Sequence, residues 1–532
     1  MNRLRELLDK KLSAMRDDHS PGLALLVSRA GREILREVRG AAEKEDGSPI
    51  SVHTVFDAGS IAKTVTGLCV AMLEDEGRLT LDTTLQEALP ELPEWASRVT
   101  LGHLLRHESG LHNYTTMLYY MAGYHPHNPP TAQEVLEFLG RSGGPKWKPG
   151  SRYEYLDTNY FLLARVVERV AGLPFGQFAE QRVFRPLGMK DSYMTDGDEP
   201  SGAEVAEGYT GYPMELLSPH AFRTTSEEGL FPVRLRYRHV GAEGFRTSVS
   251  DLARLGREIL KPSMASAETM ARIVSPSRVR GDGLGYGYGL NVGTFRGLDF
   301  IGHDGMIQGF TASMSVFREH NLVIACLANR EDLGAWEFRN LVLGELLGVR
   351  ATRTQSSLRV AGCLPEPRPG LYLDPASSSY LRVTCDEGVF AASVNGGELQ
   401  PVSYVVQSSE AGQREQDVGS VEIDSDGDAR CFHPFAEYVD CTPYEGDYVC
   451  EALQTTFRVE ALGTGVRLTH ADPNHPSMDL DYSPTIEDFF WSHDPHPGIS
   501  QLEFLRDQGC VIAFRYRDYD GDGREAFVFL RN

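Results

Sequence analysis

Long apolar runs are absent from this 532-residue sequence, and none approaches the ~18 residues that a membrane-spanning helix requires. The amino-terminal segment (MNRLRELLDKKLSAMRDDHS) lacks the apolar core and the small-residue cleavage site of a secretory signal. The eight cysteines include no Cys-x-x-Cys pair, so reduced thiols are expected. We therefore expect a cytoplasmic protein that does not associate with membranes.

Basic residues are also scarce. The chain has 52 Lys plus Arg against 75 Asp plus Glu, which gives a formal net charge of −23. Residues 361–532 contain 11 Arg, no Lys and 30 Asp plus Glu, so −19 of this charge lies in the last third. Such an acidic chain is poorly suited to neutralise phosphates, and nucleic acid is not an expected partner.

The first 350 residues combine strand and helix patterns. Strand-like runs occur at residues 22–29, 33–39, 311–317 and 322–328. Helical apolar spacing fills much of the stretch between them, beginning with residues 60–76. We predict an α/β (α+β) domain over residues 1–350, in which both ends contribute strands to one antiparallel sheet and the middle forms a helical region.

Beyond about residue 350 the pattern changes to short alternating strands. A repeat occurs at a spacing of 76 residues, in which Gly370-Leu371-Tyr372 matches Gly446-Asp447-Tyr448 and Leu381-Arg382-Val383 matches Phe457-Arg458-Val459. Repeated all-β units of about 80–90 residues are typical of barrels or sandwiches. We predict two all-β, antiparallel, barrel-like domains at residues 351–440 and 441–532.

Ser60 and Lys63 form the first motif that contains residues of catalytic type. Residues three apart share a face of a helix, so the hydroxyl and the amine are expected side by side. A serine hydroxyl is a weak nucleophile until a neighbouring base or cation assists its deprotonation. Lys63 is the only one of the eight lysines with a serine three positions before it. An ordinary capped helix is the alternative interpretation of this motif alone.

Two further motifs contain residues of catalytic type. Tyr155 precedes Asp157 at the predicted start of a helix, and a tyrosine can act as a general base when cations stabilise its phenolate. His303 lies in the segment Gly302-His303-Asp304-Gly305, just before the predicted strand 311–317. Taken alone, each residue is more typical of packing or of structural hydrogen bonding.

Together and in this order, the motifs resemble those of the serine β-lactamase and penicillin-binding superfamily, whose signature is Ser-x-x-Lys, Tyr-x-Asn, then Lys-Thr-Gly or His-x-Gly. Flanking segments are similar too: TLGHLLRHESGL, YLDTNYFLLARVVERVAG and GAEGFRTSVSDLARLG. The resemblance covers residues 10–350. The His-x-Gly form, the length and the two β domains also resemble those of D-aminopeptidases.

The resemblance implies a serine hydrolase that forms an acyl-enzyme without a metal or another cofactor. Ser60 would attack a carbonyl with assistance from Lys63, and Tyr155 would shuttle the proton to the leaving group. The backbone N–H groups of Ser60 and Met306 would form the oxyanion hole. His303 would orient the substrate or stabilise the charge of the tyrosine.

Asp157 and Gly305 are expected to contact the substrate. Asp157 stands where the family has asparagine, and an ionised carboxylate can only accept hydrogen bonds. Beside Lys63, the carboxylate should raise the pKa of the lysine and make it a poorer base. We hypothesise that Asp157 disfavours β-lactams and favours cationic substrates or slow turnover.

Two other motif matches are weaker. Residues 140–144 (GRSGG) fit the nucleophile elbow of α/β-hydrolases, but a helical pattern precedes them where that elbow needs a strand. His107-Glu108 with His112 misses the zinc motif His-Glu-x-x-His by one residue, and we predict no metal site.

The expected substrates are small peptides or amides of D-amino acids, or small esters. Two alternatives stay open: an esterase or weak β-lactamase using the same site, and a penicillin-recognition-like protein that binds with little turnover. A loop near Glu487 and Asp488 would favour cationic amino termini if it reached the catalytic cleft. A homodimer is compatible with the sequence.

Overall fold

The computed structural model describes most of the first 349 residues and mainly the strands beyond them. The described residues are 2–12, 19–118, 124, 128–197, 204–210, 230–233, 236–264, 266–280, 283–349, 358–362, 370–374, 379–386, 389–394, 400–406, 421–425, 428–434, 440–450, 453, 455–462, 465–471, 480–486, 489–492, 501–508, 510–517 and 528–531. The chain forms two compact units, Met1–Tyr120 with Tyr124–Ala351 and Met121–Gly123 with Thr352–Asn532.

The α-helices of the described residues belong to the first unit. They are α1 (Asn2–Leu12), α2 (Ala62–Asp75), α3 (Leu85–Ala88), α4 (Leu101–Leu105), α5 (Tyr114–Thr116), α6 (Ala132–Arg141), α7 (Asp157–Ala171), α8 (Phe175–Ala179), α9 (Arg185–Leu187), α10 (Val249–Leu260), α11 (Ala267–Ile273) and α12 (Ala335–Leu347). None of these helices has the length and apolar character needed to cross a membrane.

The strands of the first unit lie mainly at its two ends. They are β1 (Leu23–Arg29), β2 (Arg32–Arg39), β3 (Ala41–Glu43), β4 (Ser48–Pro49), β5 (Phe56–Asp57), β6 (Tyr193–Met194), β7 (Gly208–Thr210), β8 (Phe231–Val233), β9 (Phe245–Thr247), β10 (Leu284–Tyr286), β11 (Asn291–Phe295), β12 (Leu298–Ile307), β13 (Phe310–Phe317) and β14 (Leu322–Ala328).

The main sheet is antiparallel and has the strand order β10-β11-β12-β13-β14-β1-β2. The late strand β14 pairs with the early strand β1, with Ala328 opposite Leu23, so both ends of the unit build the sheet, as predicted. Helices α1 and α12 share one core with Leu25 and Ile324, whereas α10 packs against Val323 on the opposite face. Because both faces are covered, β13 and β14 are buried along their whole length, and β14 (LVIACLA) is a continuous apolar run.

The strands of the second unit form two closed sheets. The first contains β15 (Leu358–Gly362), β16 (Gly370–Asp374), β17 (Ser379–Asp386), β18 (Val389–Val394), β19 (Gln400–Val406), β20 (Val421–Ser425) and β21 (Asp428–Pro434). The second contains β22 (Gly446–Cys450), β23 (Thr455–Leu462), β24 (Gly465–His470), β25 (Leu480–Ile486), β26 (Phe489–Ser492), β27 (Gln501–Asp507), β28 (Cys510–Arg517) and β29 (Val528–Arg531).

The 76-residue repeat corresponds to one hairpin in each closed sheet. Gly370 lies opposite Val383 in the pair β16–β17, and Gly446 lies opposite Val459 in the pair β22–β23, so the two hairpins share one register. The expectation of wholly antiparallel sheets is wrong for one pair, since β15 and β19 are parallel. Parallel strands need a long connection, and residues 363–399 separate these two strands.

Candidate active site

Ser60 lies in a 3-10 turn, Gly59–Ile61, that leads directly into α2. The sequence predicted a helix from residue 60, whereas the α-helix begins at Ala62. Gly59 has a φ of +50°, a conformation that favours glycine. A Cβ at Gly59 would lie 3.0 Å from the backbone nitrogen of Met306. The turn that carries Ser60 can therefore approach β12 closely.

The side chain of Asp57 stabilises this turn by hydrogen bonding. Its Oδ1 accepts a hydrogen bond from the backbone N–H of Gly59 at 2.8 Å. Its Oδ2 accepts from the Tyr237 hydroxyl at 2.5 Å and lies 3.2 Å from the Arg246 guanidinium. All three side chains are buried. No local pattern in the sequence predicts this group, because its members come from separate segments and follow no common spacing.

Lys63 is fully buried, and its ammonium contacts three oxygen acceptors. Its Nζ donates to Ser60 Oγ at 3.0 Å, to Asp157 Oδ1 at 2.7 Å and to the carbonyl oxygen of Ala242 at 3.0 Å. Since an ammonium has three hydrogens, this set satisfies it completely. The predicted side-by-side arrangement of hydroxyl and amine is present.

The charge of Lys63 is stabilised by its neighbours. Burial by itself lowers the pKa of Lys63, but the negative charge of Asp157 and the contact with Tyr155 outweigh burial and raise the pKa above its ordinary value. The amine is therefore protonated at neutral pH, which is the effect of Asp157 that the sequence suggested.

Tyr155 lies against both residues of the first motif. Lys63 Nζ is 4.8 Å from the centroid of its ring, and both the Lys63 ammonium and the Ser60 hydroxyl favour the ionised form of the phenol. Burial raises the pKa of Tyr155, the ammonium of Lys63 lowers it, and the net pKa lies above its ordinary value. The resting site therefore contains a neutral phenol.

Asp157 is the first residue of α7, where the helix dipole favours a negative charge. Its second oxygen, Oδ2, accepts from the Thr115 hydroxyl at 3.3 Å. The side chain is 22% exposed. Because its other oxygen contacts the Lys63 ammonium, much of the carboxylate's charge is compensated inside the site.

His303, Gly305 and Met306 all lie within β12. The sequence placed His303 before a strand, and it missed β12 because Gly302, Asp304 and Gly305 are poor strand formers. A Cβ at Gly305 would lie 2.0 Å from the carbonyl oxygen of Ala58, so glycine permits the contact between β12 and the Ser60 turn.

One edge of β12 faces the Ser60 turn. Strand β11 pairs with β12 only as far as Gly302, which lies opposite Asn291. Among the strands in the described ranges, His303–Ile307 pairs with β13 alone. The backbone of Met306 thus lies beside Gly59 at an open strand edge, an arrangement compatible with the predicted oxyanion hole.

His303 is neutral in this site. Its Nδ1 lies 2.6 Å from the Asp304 carbonyl, to which only an N–H can donate, so Nε2 accepts from the Tyr286 hydroxyl at 2.8 Å. Burial and the nearby Lys63 charge lower the pKa of His303 to about 4. A neutral imidazole cannot provide the positive charge that one of the two predicted roles for His303 requires.

Two aromatic residues without an assigned role complete the site. The ring centroid of Tyr155 lies 4.4 Å from that of His107 and 5.9 Å from that of Tyr286. His107 lies in the flanking segment TLGHLLRHESGL and in the zinc-like pattern, but neither match predicted a role for it, and no pattern drew attention to Tyr286.

Among the described residues, one cluster of three glutamates has the spacing of metal ligands. The carboxylate oxygens of Glu43, Glu45 and Glu207 lie within 4.8 Å of one another. The Tyr209 hydroxyl donates to Glu45 at 2.7 Å. This group belongs to other segments than those that carry Ser60 and Tyr155.

The chain is similar to known proteins of one family. The family model described as Beta-lactamase matches residues 8–346. Penicillin-binding protein 4 from Amycolatopsis lactamdurans is 27% identical over 399 residues, covering 70% of this chain and 96% of that protein. D-aminopeptidase from Cereibacter sphaeroides is 26% identical over 381 residues, covering 71% of this chain and 68% of that protein.

A solved structure is similar over the whole chain. The octameric penicillin-binding protein homologue from Pyrococcus abyssi has a TM-score of 0.56 at 19% sequence identity. The similarity covers 100% of this chain and 99% of that one. At this identity the likeness concerns the fold.

Proposed function

The chain belongs to the β-lactamase family and is related to serine hydrolases such as D-aminopeptidase, and we propose that it cleaves its substrates through an acyl-enzyme at Ser60. The observation that carries this proposal is the position of the buried Lys63 ammonium, 3.0 Å from Ser60 Oγ and 2.7 Å from Asp157 Oδ1.

In the proposed reaction, Ser60 Oγ attacks the substrate carbonyl while the neutral amine of Lys63 or the phenolate of Tyr155 takes the hydroxyl proton. Tyr155 then delivers a proton to the leaving group. The backbone N–H groups of Ser60 and Met306 hold the oxyanion. Because the pKa values of Lys63 and Tyr155 are both raised, only a small fraction of the enzyme contains the base at pH 7.

We propose small peptides or amides of D-amino acids, or small esters, as substrates. The relative named D-aminopeptidase supports peptides of D-amino acids. An esterase or a weak β-lactamase would use the same nucleophile and oxyanion hole. Asp157 favours substrates other than β-lactams, because its carboxylate cannot donate a hydrogen bond to an acyl carbonyl.

A second candidate function is ligand binding with little turnover. The specific observation in its favour is again the ion pair between Lys63 and Asp157, because it stabilises the ammonium and weakens the base. In that case Ser60 would be acylated, but the acyl-enzyme would be hydrolysed slowly.

Intact-mass measurement tests these functions. The parent protein and Ser60→Ala are incubated with a fluorophosphonate and with a β-lactam, and turnover is measured on D- and L-phenylalanine p-nitroanilide and a p-nitrophenyl ester. A fluorophosphonate adduct only in the parent, with D-selective release of p-nitroaniline, is the expected result. An adduct without turnover favours the binding protein, and neither adduct nor turnover contradicts acyl-enzyme catalysis.

Several predictions concern the molecule beyond this site. The division into domains at residues 350 and 440, the homodimer and the cytoplasmic location stay predictions. Glu487 and Asp488 lie outside the described residues. Light scattering coupled to size exclusion tests the assembly, and limited proteolysis tests the boundaries.

A further inference from the structure

His107 is a fully buried imidazole beside the catalytic residues, and the acyl-transfer mechanism described above gives it no task. We propose that His107 is a positioning residue: its neutral ring fixes the segment from which Tyr155 and Asp157 project toward Ser60 and Lys63. This inference rests on the proposed acyl-enzyme function.

The hydrogen bonds of His107 bracket Tyr155 on both sides. Its Nδ1 accepts from the backbone N–H of Leu156 at 3.1 Å and lies 3.0 Å from Nδ2 of Asn159. Its carbonyl oxygen accepts from the backbone N–H of Glu154 at 2.8 Å. One residue therefore holds the chain immediately before and immediately after Tyr155, and it also holds the first turn of α7, where Asp157 lies.

These contacts define the tautomer of the ring. The Oδ1 atom of Asn159 accepts from the Ser109 hydroxyl at 2.6 Å, so its amide nitrogen faces His107 as a donor. With two N–H donors directed at it, Nδ1 must be unprotonated, and the proton of the neutral ring is on Nε2. Burial, with the nearby charge of Lys63, lowers the pKa of His107 far below its ordinary value and keeps the ring neutral.

The backbone of His107 is itself unusual. Its φ is +57°, a left-handed conformation that non-glycine residues seldom adopt. Such a conformation persists only where surrounding contacts enforce it, and it is enriched at functional sites. The bonds to Glu154, Leu156 and Asn159 are contacts of this kind.

The Nε2–H group has no hydrogen-bond acceptor among the described residues, although it is buried. A buried donor without an acceptor costs about 1–3 kcal/mol, so its retention calls for a reason. Two tyrosine rings pack against the imidazole, since the ring centroids of Tyr155 and Tyr286 lie 4.4 and 4.5 Å from that of His107. His107 therefore packs against the Tyr155 ring as well as binding the backbone on either side of that residue.

Three variants of the full-length protein separate positioning from general stability. His107→Asn keeps an acceptor near the position of Nδ1 and tolerates the left-handed backbone, whereas His107→Ala keeps neither. His239→Ala is the matched control, because His239 is equally buried and contacts the Tyr114 hydroxyl at 2.7 Å and the Pro130 carbonyl at 3.0 Å. For each variant, kcat, KM and Tm are measured with a p-nitrophenyl ester.

We expect His107→Ala to lower kcat about 100-fold with KM changed less than about threefold, since a small misplacement of catalytic groups has effects of this size. The kcat of His107→Asn should be at least about tenfold higher than that of His107→Ala. His239→Ala should lower Tm and leave kcat near the parent value. Equal losses in His107→Asn and His107→Ala, or an unchanged kcat in a folded His107→Ala, would overturn the proposal.

Imidazole ¹⁵N chemical shifts give a readout that does not depend on turnover. The expected spectrum of His107 shows a protonated Nε2, an unprotonated Nδ1 and no titration between about pH 5 and 8. A protonated Nδ1 would contradict the positioning role even in an active enzyme. Absence of any Ser60 adduct in the parent would instead contradict the proposed function, while the spectrum would still decide the state of His107.

Discussion

At the scale of single residues, the resting site is organised around one ammonium and one carboxylate. Asp157 binds Lys63 at 2.7 Å, and Tyr155 remains a neutral phenol because its pKa is raised. An asparagine at position 157 would leave the ammonium with weaker partners. The acidic side chain therefore determines how readily the site can produce a base.

Replacing this carboxylate should move the pH dependence of catalysis. In Asp157→Asn the pKa of Lys63 falls, because the negative charge that raised it is gone while burial, which lowers it, remains. The rising limb of kcat/KM against pH should therefore shift to lower pH, by about one unit or more. The measurement is a pH–rate profile from pH 6 to 10 with a p-nitrophenyl ester, beside acylation by a β-lactam. Superimposable profiles and equal acylation rates would contradict this role of Asp157.

His303 should make the folded protein sensitive to acid. Its pKa is about 4 in the folded protein, against about 6.5 when unfolded. Between these values the unfolded chain binds the additional proton, so the free energy of unfolding falls as pH drops from about 6.5 to 4, by about 3 kcal/mol in all. His303→Gln can still accept from Tyr286 and does not titrate. Urea unfolding at pH 7 and 4.5 should show a smaller acid loss in this variant than in the parent.

At the scale of secondary-structure elements, the site depends on the close approach of β12 to the turn before α2. Gly305 touches the Ala58 carbonyl, and Gly59 touches the backbone of Met306. A Cβ at Gly305 would overlap the Ala58 carbonyl oxygen at 2.0 Å, and a Cβ at Gly59 would be tightly packed at 3.0 Å from the Met306 nitrogen. The oxyanion donors proposed here come from these two elements, so their separation should control the rate of acylation.

Gly305→Ala should therefore damage catalysis more than stability. The added methyl would lie 2.0 Å from a backbone oxygen, so β12 must move away from the turn. We expect kcat/KM to fall about 100-fold or more. Gly140→Ala is the control, because a Cβ at this position in α6 meets nothing within 4 Å. Similar activity of the two variants would contradict the coupling of strand and turn.

The buried ion pair of Asp57 and Arg246, which joins β5 to β9, should contribute strongly to the stability of the fold next to Ser60. Asp57→Ala leaves the buried Arg246 guanidinium without the carboxylate opposite it, and breaking such a pair costs about 3–5 kcal/mol. Asp299→Ala removes an exposed partner of Arg318 and should cost less than about 1 kcal/mol. Urea unfolding followed by tryptophan fluorescence compares the two variants, and equal costs would contradict the prediction.

Local patterns predicted some of these elements and not others. Strands β13 and β14 were predicted from their strand-like runs, and the contact of Ser60 with Lys63 was predicted from their spacing, because both patterns are local. Strand β12 was missed, because the glycines that allow it to approach the turn also remove the strand signal. Asp57, Tyr237 and Tyr286 were missed, because their roles arise only when distant segments meet.

At the scale of the whole molecule, the sequence predicted a β-lactamase-like unit followed by an all-β region, and the acid is concentrated in the latter. Residues 361–532 contribute −19 of the net charge of −23. The parallel pairing of β15 with β19 was not predictable, because strand direction depends on a connection whose path no local pattern specifies.

This charge leads to a prediction about substrate capture. A protein of net charge −23 attracts cations over a distance that shrinks from about 30 Å at 0.01 M salt to about 3 Å at 1 M. For D-phenylalanine p-nitroanilide, which carries a free ammonium, kcat/KM should fall several-fold over this range. The matched control is the N-acetyl derivative, which has the same side chain and leaving group but no charge, so its kcat/KM should change little. If salt lowers both kcat/KM values equally, the long-range field contributes nothing to substrate selection. Any preference for free amines must then come from groups in contact with the substrate, and Asp157 is the first of these to test.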